Sequence, residues 1–283
     1  MNIQWYPGHM TKAKRQMTED LKLIDLVIEL TDARIPSSSR NPDIDEMAKG
    51  KSRLILLNKA DMADEKETSE WKTWFEEQGF LVCPVNSLNR AELKKINPIV
   101  RQACAEKIER DKRRGIRSRP VRAMVTGIPN VGKSTFINSF SGKASAKTGN
   151  KPGVTKGKQW IRISDSLELL DTPGILWPKF EDQNVGIKLA AIGSIRDEIM
   201  NTEELSLELI KLLNDRYPGS LESFYGIRIE EDEKPLDVLL KIAAARGCLS
   251  KGGSYDTLRA SGLLLENFRN GKIGRFTLES PVG

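Results

Sequence analysis

Gly127-Ile128-Pro129-Asn130-Val131-Gly132-Lys133-Ser134 follows an apolar run, Val121-Arg122-Ala123-Met124-Val125, and leads into a helix-forming stretch. The octet fits G-x-x-x-x-G-K-[ST] in the strand-turn-helix context that this motif needs to bind phosphate. Its glycines let the backbone wrap phosphate oxygens with N–H groups, and the helix N-terminus adds a partial positive charge. On that reading Val131, Gly132 and Thr135 line the phosphates, Lys133 reaches the β- and γ-phosphates, and the Ser134 hydroxyl binds Mg²⁺. The plain alternative is an ordinary glycine turn. A chance match in a chain of this size has odds on the order of 1%.

Working outward, Asp171-Thr172-Pro173-Gly174 closes another strand-like run. Asp171 can hold Mg²⁺ through water, and the Gly174 amide, with no Cβ in the way, can approach a γ-phosphate. Between the two motifs, Pro152-Gly153-Val154-Thr155 lies among lysines, and Thr155 is a candidate to complete the Mg²⁺ shell when the γ-phosphate is present. Upstream, Asn58-Lys59-Ala60-Asp61 follows Arg53-Leu54-Ile55-Leu56-Leu57, at the carboxyl edge of a buried strand where nucleotides bind in doubly wound sheets. An Asp61 carboxylate accepts from the ring N–H and exocyclic amine of guanine, a donor pair that adenine lacks. Asn58 and the Lys59 stem would orient and cover the base. Asn86-Ser87, after Leu81-Val82-Cys83-Pro84-Val85, is a candidate to supply a backbone N–H to the guanine carbonyl.

The order of these elements carries the topology. Base-recognition residues precede phosphate residues, the reverse of the usual small GTPase arrangement, yet both sets fall at strand ends. One mostly parallel sheet unites them if the chain is circularly permuted, with the linker around residues 101–122 closing the old termini. The expected fold is thus α/β, a circularly permuted P-loop GTPase domain over residues 1–178 that includes an N-terminal basic helix. Strand pattern gives way to helical pattern beyond Phe180. Thr202 is a plausible N-cap, Pro235 and Gly247 bracket another helix, and a last one runs around Leu258 to Phe268. Residues 179–283 therefore read as a small all-helical domain.

Composition narrows the setting. No apolar run approaches the roughly 20 residues needed to span a bilayer, and the N-terminus lacks a leader pattern, so a cytoplasmic protein with no membrane contact is expected. Cys83, Cys104 and Cys248 are an odd number without metal-like spacing, which suits thiols in a reducing compartment. The formal charge is +6, and residues 101–122 hold nine basic side chains against three acidic ones. Residues 143–158 hold five lysines and no acid. A solvated helix face explains any one such run; together they suit a polyanionic partner.

With Trp5-Tyr6-Pro7-Gly8-His9-Met10, Asp32-Ala33-Arg34-Ile35-Pro36 and Arg40-Asn41-Pro42 added to these motifs, the chain resembles the circularly permuted GTPases of ribosome assembly over its whole length. The resemblance implies a GTP/GDP switch acting late in assembly of the large ribosomal subunit, binding its precursor and rRNA, with hydrolysis promoted by the particle. A monomer is expected. Ile175 stands where many GTPases place a water-positioning glutamine, and its side chain cannot hydrogen-bond water. His9, the single histidine of the chain, is the candidate to orient the attacking water; a surface or RNA-contacting histidine is the alternative. GTPases with a hydrophobic residue in place of the glutamine use an asparagine at the position of Asn130 to hold K⁺ beside the phosphates, so K⁺ joins Mg²⁺ as an expected ion. The plain alternative is that Asn130 only shapes the loop. A different class of function, an RNA-binding scaffold with structural nucleotide and incidental turnover, stays open on sequence alone.

Overall fold

The computed structural model describes residues 8–116, 119–143, 159–177, 182–197 and 200–281; the side chains of residues 8–10, 13 and 159 lie outside that description. The chain divides into two compact units. One comprises Trp5–Lys179 together with Glu279–Gly283, and the other Phe180–Leu278.

The first unit is built on a six-stranded sheet. Its strands are β1 (Leu26–Asp32), β2 (Ser52–Asn58), β3 (Leu81–Val85), β4 (Val121–Thr126), β5 (Gln159–Ser164) and β6 (Leu167–Asp171), in spatial order β3-β2-β1-β4-β6-β5. All neighbours are parallel except the β5–β6 hairpin. Every residue of β1 is buried, as expected for a central strand covered on both faces. Its partners β2 and β4 come from opposite sides of the sequence motifs, so the permuted order is realised as one sheet. The carboxyl ends of β2, β3, β4 and β6 carry Asn58, Asn86, Gly127 and Asp171 respectively, which brings the base and phosphate elements to one edge.

Helices α1 (Gly8–Asp20), α2 (Pro42–Met47), α3 (Glu65–Glu77), α4 (Arg90–Leu93), α5 (Ile96–Ala103), α6 (Ala105–Arg113) and α7 (Lys133–Ser141) complete the unit. Asp64 caps α3 by accepting from Glu67 N at 2.9 Å, and Glu65 and Glu67 suit the positive end of the helix. The inner face of α3 buries Trp71 and Phe75 against Ala33, Ile55, Leu57 and Val82. Truncating either ring to alanine should cost about 3–5 kcal/mol. Three short helices, α4, α5 and α6, follow β3, and the basic linker runs from the last turn of α5 through α6 to β4. Asp25 anchors its far end: Asp25 N donates to Arg122 O at 2.8 Å, and Arg122 N donates back to Asp25 Oδ2 at 3.0 Å. Lys107 pairs with Asp111 at 3.1 Å and reaches Asp25 at 3.6 Å.

The second unit holds α8 (Gln183–Ala191), α9 (Thr202–Arg216), α10 (Ser220–Tyr225), α11 (Pro235–Ala245) and α12 (Thr257–Arg269). Its core packs Leu205, Leu209 and Leu213 of α9 with Val238 and Ile242 of α11 and Leu264 of α12. A buried Ser206–Ser261 hydroxyl pair at 2.8 Å ties α9 to α12. The N-cap of α9 is Asn201, which accepts from Glu204 N at 3.1 Å; Thr202 is the first helical residue instead. Asparagine ranks above threonine as an N-cap. Among the described residues, no helix is long and apolar enough to cross a membrane. All three cysteines are buried free thiols.

Candidate nucleotide site

The phosphate loop lies between β4 and α7, and its backbone explains its glycines. Gly127 has φ +146°, and a Cβ there would stand 2.4 Å from Leu30 O of the neighbouring strand. Gly132 has φ +101°, and a Cβ would strike Asn58 Nδ2 at 2.5 Å. Asn130 is itself left-handed at φ +59°, a conformation that asparagine tolerates better than most side chains. Lys133 is buried at the start of α7, and its ammonium donates to Gly127 O at 3.0 Å and Ile128 O at 2.8 Å. Ser134 and Thr135 follow in the first turn, both half-buried.

Gly174 meets this loop closely. A Cβ on it would lie 2.7 Å from Lys133 Nζ, 2.8 Å from Pro129 N and 2.9 Å from Pro129 Cα. Only a residue without a side chain fits, so Asp171-Thr172-Pro173-Gly174 passes directly against 127–134. Thr172 Oγ1 donates to Val125 O at 2.7 Å and fixes the exit of β6. Asp171 is buried, and its Oδ1 has no hydrogen-bond partner among the described residues. Burial raises the Asp171 carboxyl to about 6 against the pull of Lys133, and burial lowers Lys133 to about 8 against the pull of Asp171. A buried carboxylate oxygen without a donor, coupled to Lys133, and the serine hydroxyl that follows Lys133 in the chain are hard oxygen ligands of the kind that suits Mg²⁺.

The base element is wired to the same loop. Asn58 is buried; its Nδ2 donates to Val131 O at 2.7 Å, and its Oδ1 accepts from Ser87 N at 3.1 Å and Ser87 Oγ at 2.7 Å. One amide side chain thus joins β2, the loop after β3 and the phosphate loop. Lys59, left-handed at φ +59°, donates to Asn130 O at 3.0 Å and pairs with Asp32 Oδ2 at 2.9 Å. Asp61 sits half-buried in the following turn. The Asn86 and Ser87 amides are already engaged, Asn86 N with Glu92 Oε2 at 3.0 Å and Ser87 N with Asn58. In this arrangement Ser87 braces Asn58, and Glu92 holds the Asn86 amide.

Sequence reasoning passed over the residues behind Lys59. Asp32 is fully buried and accepts from Arg34 N at 3.1 Å, Arg34 Nε at 2.8 Å and Arg34 Nη2 at 2.8 Å. Arg34 and Lys59 together hold the Asp32 carboxyl well below the usual range in spite of burial. The signal was an acid and an arginine two residues apart at a strand end, too common a pattern to read alone. Ile175 is buried, and its carbonyl accepts from Asn41 Nδ2 at 3.4 Å. His9 lies in the first turn of α1, with its side chain outside the described residues, and Thr155 falls in 144–158, also outside them.

The family described as 50S ribosome-binding GTPase matches residues 122–240. Ribosome biogenesis GTPase A of Bacillus cereus is 48% identical over 281 residues, covering 99% of this chain and 95% of that protein. The Thermotoga maritima protein of the same name is 34% identical, covering 99% of this chain and 95% of its own length. Among solved structures, GNP-bound YlqF from T. maritima superposes with a TM-score of 0.65 at 30% identity, covering 95% of this chain and 98% of that one. A GDP-bound form gives 0.68 at 28% identity, covering 94% and 99%.

Proposed function

Since the chain belongs to the ribosome biogenesis GTPase A family and is a GTP-hydrolysing enzyme of ribosome biogenesis, we propose that it is a cytoplasmic, monomeric switch acting late in large-subunit assembly. Its GTP form binds the precursor particle and rRNA, and hydrolysis releases it. The observation that carries this reading is the fit of Gly174 against Lys133 and Pro129. A strand-exit glycine touching the phosphate loop is poised to sense whether a γ-phosphate is there, so nucleotide state is converted into a backbone position.

In this reading Asp61 reads the guanine edge, Asn58 and Lys59 hold the base pocket to the phosphate loop, and Lys133 turns from loop carbonyls to phosphate oxygens. Ser134 and Asp171, joined by Thr155, would hold Mg²⁺, which supplies charge neutralisation between the β- and γ-phosphates. Asn130 would hold K⁺ in the same loop, where a cation offsets charge that develops on the transferred phosphate. Ile175 is buried and apolar, so His9 is assigned to orient the attacking water. The polyanionic partner is met by the linker: Arg101, Arg110, Lys112, Arg113 and Arg114 are exposed, whereas Lys107 and Arg122 are tied to acids within the unit.

Co-sedimentation with large-subunit precursor particles in GDP, in a non-hydrolysable GTP analogue and without nucleotide tests the switch. The analogue should favour binding and particles should accelerate hydrolysis. Equal binding in all three conditions, with no acceleration, would leave a scaffold with incidental turnover as the better account.

A further inference from the structure

The Asp32-to-Pro42 segment is accounted for only in part by nucleotide chemistry, and the structure adds a residue from the opposite end of the chain to it. Glu279 is buried, 8% exposed, in the same compact unit as the sheet. Its Oε1 accepts from Ser37 N at 2.6 Å and Ser38 N at 2.9 Å, and its Oε2 accepts a short hydrogen bond from Ser38 Oγ. Its main-chain carbonyl accepts from Trp71 Nε1 at 3.0 Å, and Ser280 Oγ donates to Glu67 Oε1 at 3.2 Å. Three donors on one buried carboxylate, with the following backbone fastened to α3, make a built attachment. A chance approach of a chain end would not satisfy both carboxylate oxygens.

The loop so held reaches the nucleotide site at two points. At its start, Asp32 N donates to Ser39 Oγ at 2.9 Å, and Ala33 N donates to Asn58 O at 2.8 Å, so the loop fold bears on the carboxylate behind Lys59 and on Asn58 itself. At its end, Asn41 is buried, caps α2 by accepting from Asp43 N at 3.0 Å, and donates to the carbonyl of Ile175, next to Gly174. Between these points only short turns of backbone intervene, Ile35 N to Asp32 O and Ser39 N to Ile35 O, each at 2.9 Å.

We propose that Glu279 is a positioning residue for GTP hydrolysis: from the C-terminal tail it fixes loop 35–41, and through Asn41 it fixes the backbone at Ile175 and Gly174. It acts through loop 35–41 and not on the nucleotide or the attacking water. Its effect is to hold the γ-phosphate-sensing backbone where Gly174 meets the phosphate loop. The proposal rests on the reading of Gly174 as γ-phosphate sensor.

The test uses the full chain carrying Glu279→Ala, Glu279→Gln or Ser38→Ala. Affinities for GDP and for a GTP analogue, single-turnover hydrolysis and thermal midpoints are measured on each. Glu279→Ala should lower the GTP-analogue-to-GDP affinity ratio and the hydrolysis rate about threefold to tenfold, the scale of one or two hydrogen bonds, with GDP affinity within about twofold. Glu279→Gln keeps an acceptor for the two amides and presents its NH₂ to the Ser38 oxygen, so it should recover most of both. Ser38→Ala should show a smaller loss of the same sign. A merely structural Glu279 would lower the thermal midpoint and leave ratio and rate unchanged, and that result overturns the proposal. If Glu279→Ala does not fold, unchanged ratio and rate in Ser38→Ala overturn it equally. Failure of the unmodified chain to prefer a GTP analogue by any γ-phosphate-dependent signal would instead sink the sensor reading beneath it.

Discussion

Replacing Gly174 with alanine tests the site at its tightest point. The added Cβ would lie 2.7 Å from Lys133 Nζ, 2.8 Å from Pro129 N and 2.9 Å from Pro129 Cα. Carbon contacts relax near 3.5 Å, so the backbones must separate by roughly 0.6 Å or more. Lys133 can swing aside, because it ends a flexible stem. Pro129 cannot, because the loop beside it is pinned by Lys59 to the Asn130 carbonyl and by Asn58 to the Val131 carbonyl. Overpacking of this kind costs about 1–3 kcal/mol, which is about a fivefold to 150-fold change in an equilibrium. The cost falls on the state in which Gly174 touches the loop. Affinity for a GTP analogue and the single-turnover rate should therefore drop by that range, while GDP affinity stays within about twofold. Fluorescent-nucleotide titrations of the purified variant, with circular dichroism to verify folding, give both numbers. An alanine variant that hydrolyses GTP and separates the two nucleotides as the parent does would refute the reasoning. So would an equal loss for GDP, which would mean the loop as a whole had been distorted.

Four further outcomes follow from the same site. Asp61→Asn should weaken GTP by roughly 10²-fold or more and favour xanthosine triphosphate, as competition binding would report; equal ATP and GTP binding by the parent would contradict it. His9→Ala should slow hydrolysis with near-normal nucleotide affinity, since a water-orienting group acts in the transition state, and a normal rate in rapid-quench assays would make His9 structural. Hydrolysis should be faster in K⁺ than in Na⁺ at equal ionic strength, and identical rates would remove Asn130 as an ion ligand. Without nucleotide, Asp171, raised from 3.8 to about 6, contributes stability that is full below pH 3.8 and is lost as pH rises through 6. Asp171→Asn should accordingly gain on the parent by roughly 2–3 kcal/mol between pH 4 and pH 7 in denaturant titrations, and a pH-independent difference would count against the burial argument.

The sheet was legible because each of its strands carries a short apolar run bounded by turn residues, and the parallel ones end in motif residues whose chemistry requires a shared edge. Asn58, Lys133 and Gly174 were legible as types, and the structure added their mutual contacts. What could not be read was long-range polar pairing. Nothing in Ser37-Ser38 announces a carboxylate donated from 241 residues away, and Glu279 looks like any acid near a chain end. The Asn86 and Ser87 amides were expected to face a base, but a side chain six residues along and one on the neighbouring strand engage them first. Thr202 reads as a cap former, yet Asn201 takes the position, because sequence alone does not say where the first helical dihedral falls.

The permutation also explains how the linker divides its charge. Joining the old termini forces a segment to run from β3 to β4, across the start of β1, and a flexible joint there would loosen the central strand. Asp25 prevents this by exchanging hydrogen bonds with Arg122 and taking Lys107 and Arg119 as counter-charges at 3.6 and 3.9 Å. Part of the basic excess is thereby committed to the closure itself. The rest, on the outer face of α6 and the turn after it, is held on a fixed base instead of a mobile tether. Rigid display lowers the entropy lost when phosphates are bound, so the same closure that makes the permuted sheet possible also favours a polyanion at that edge.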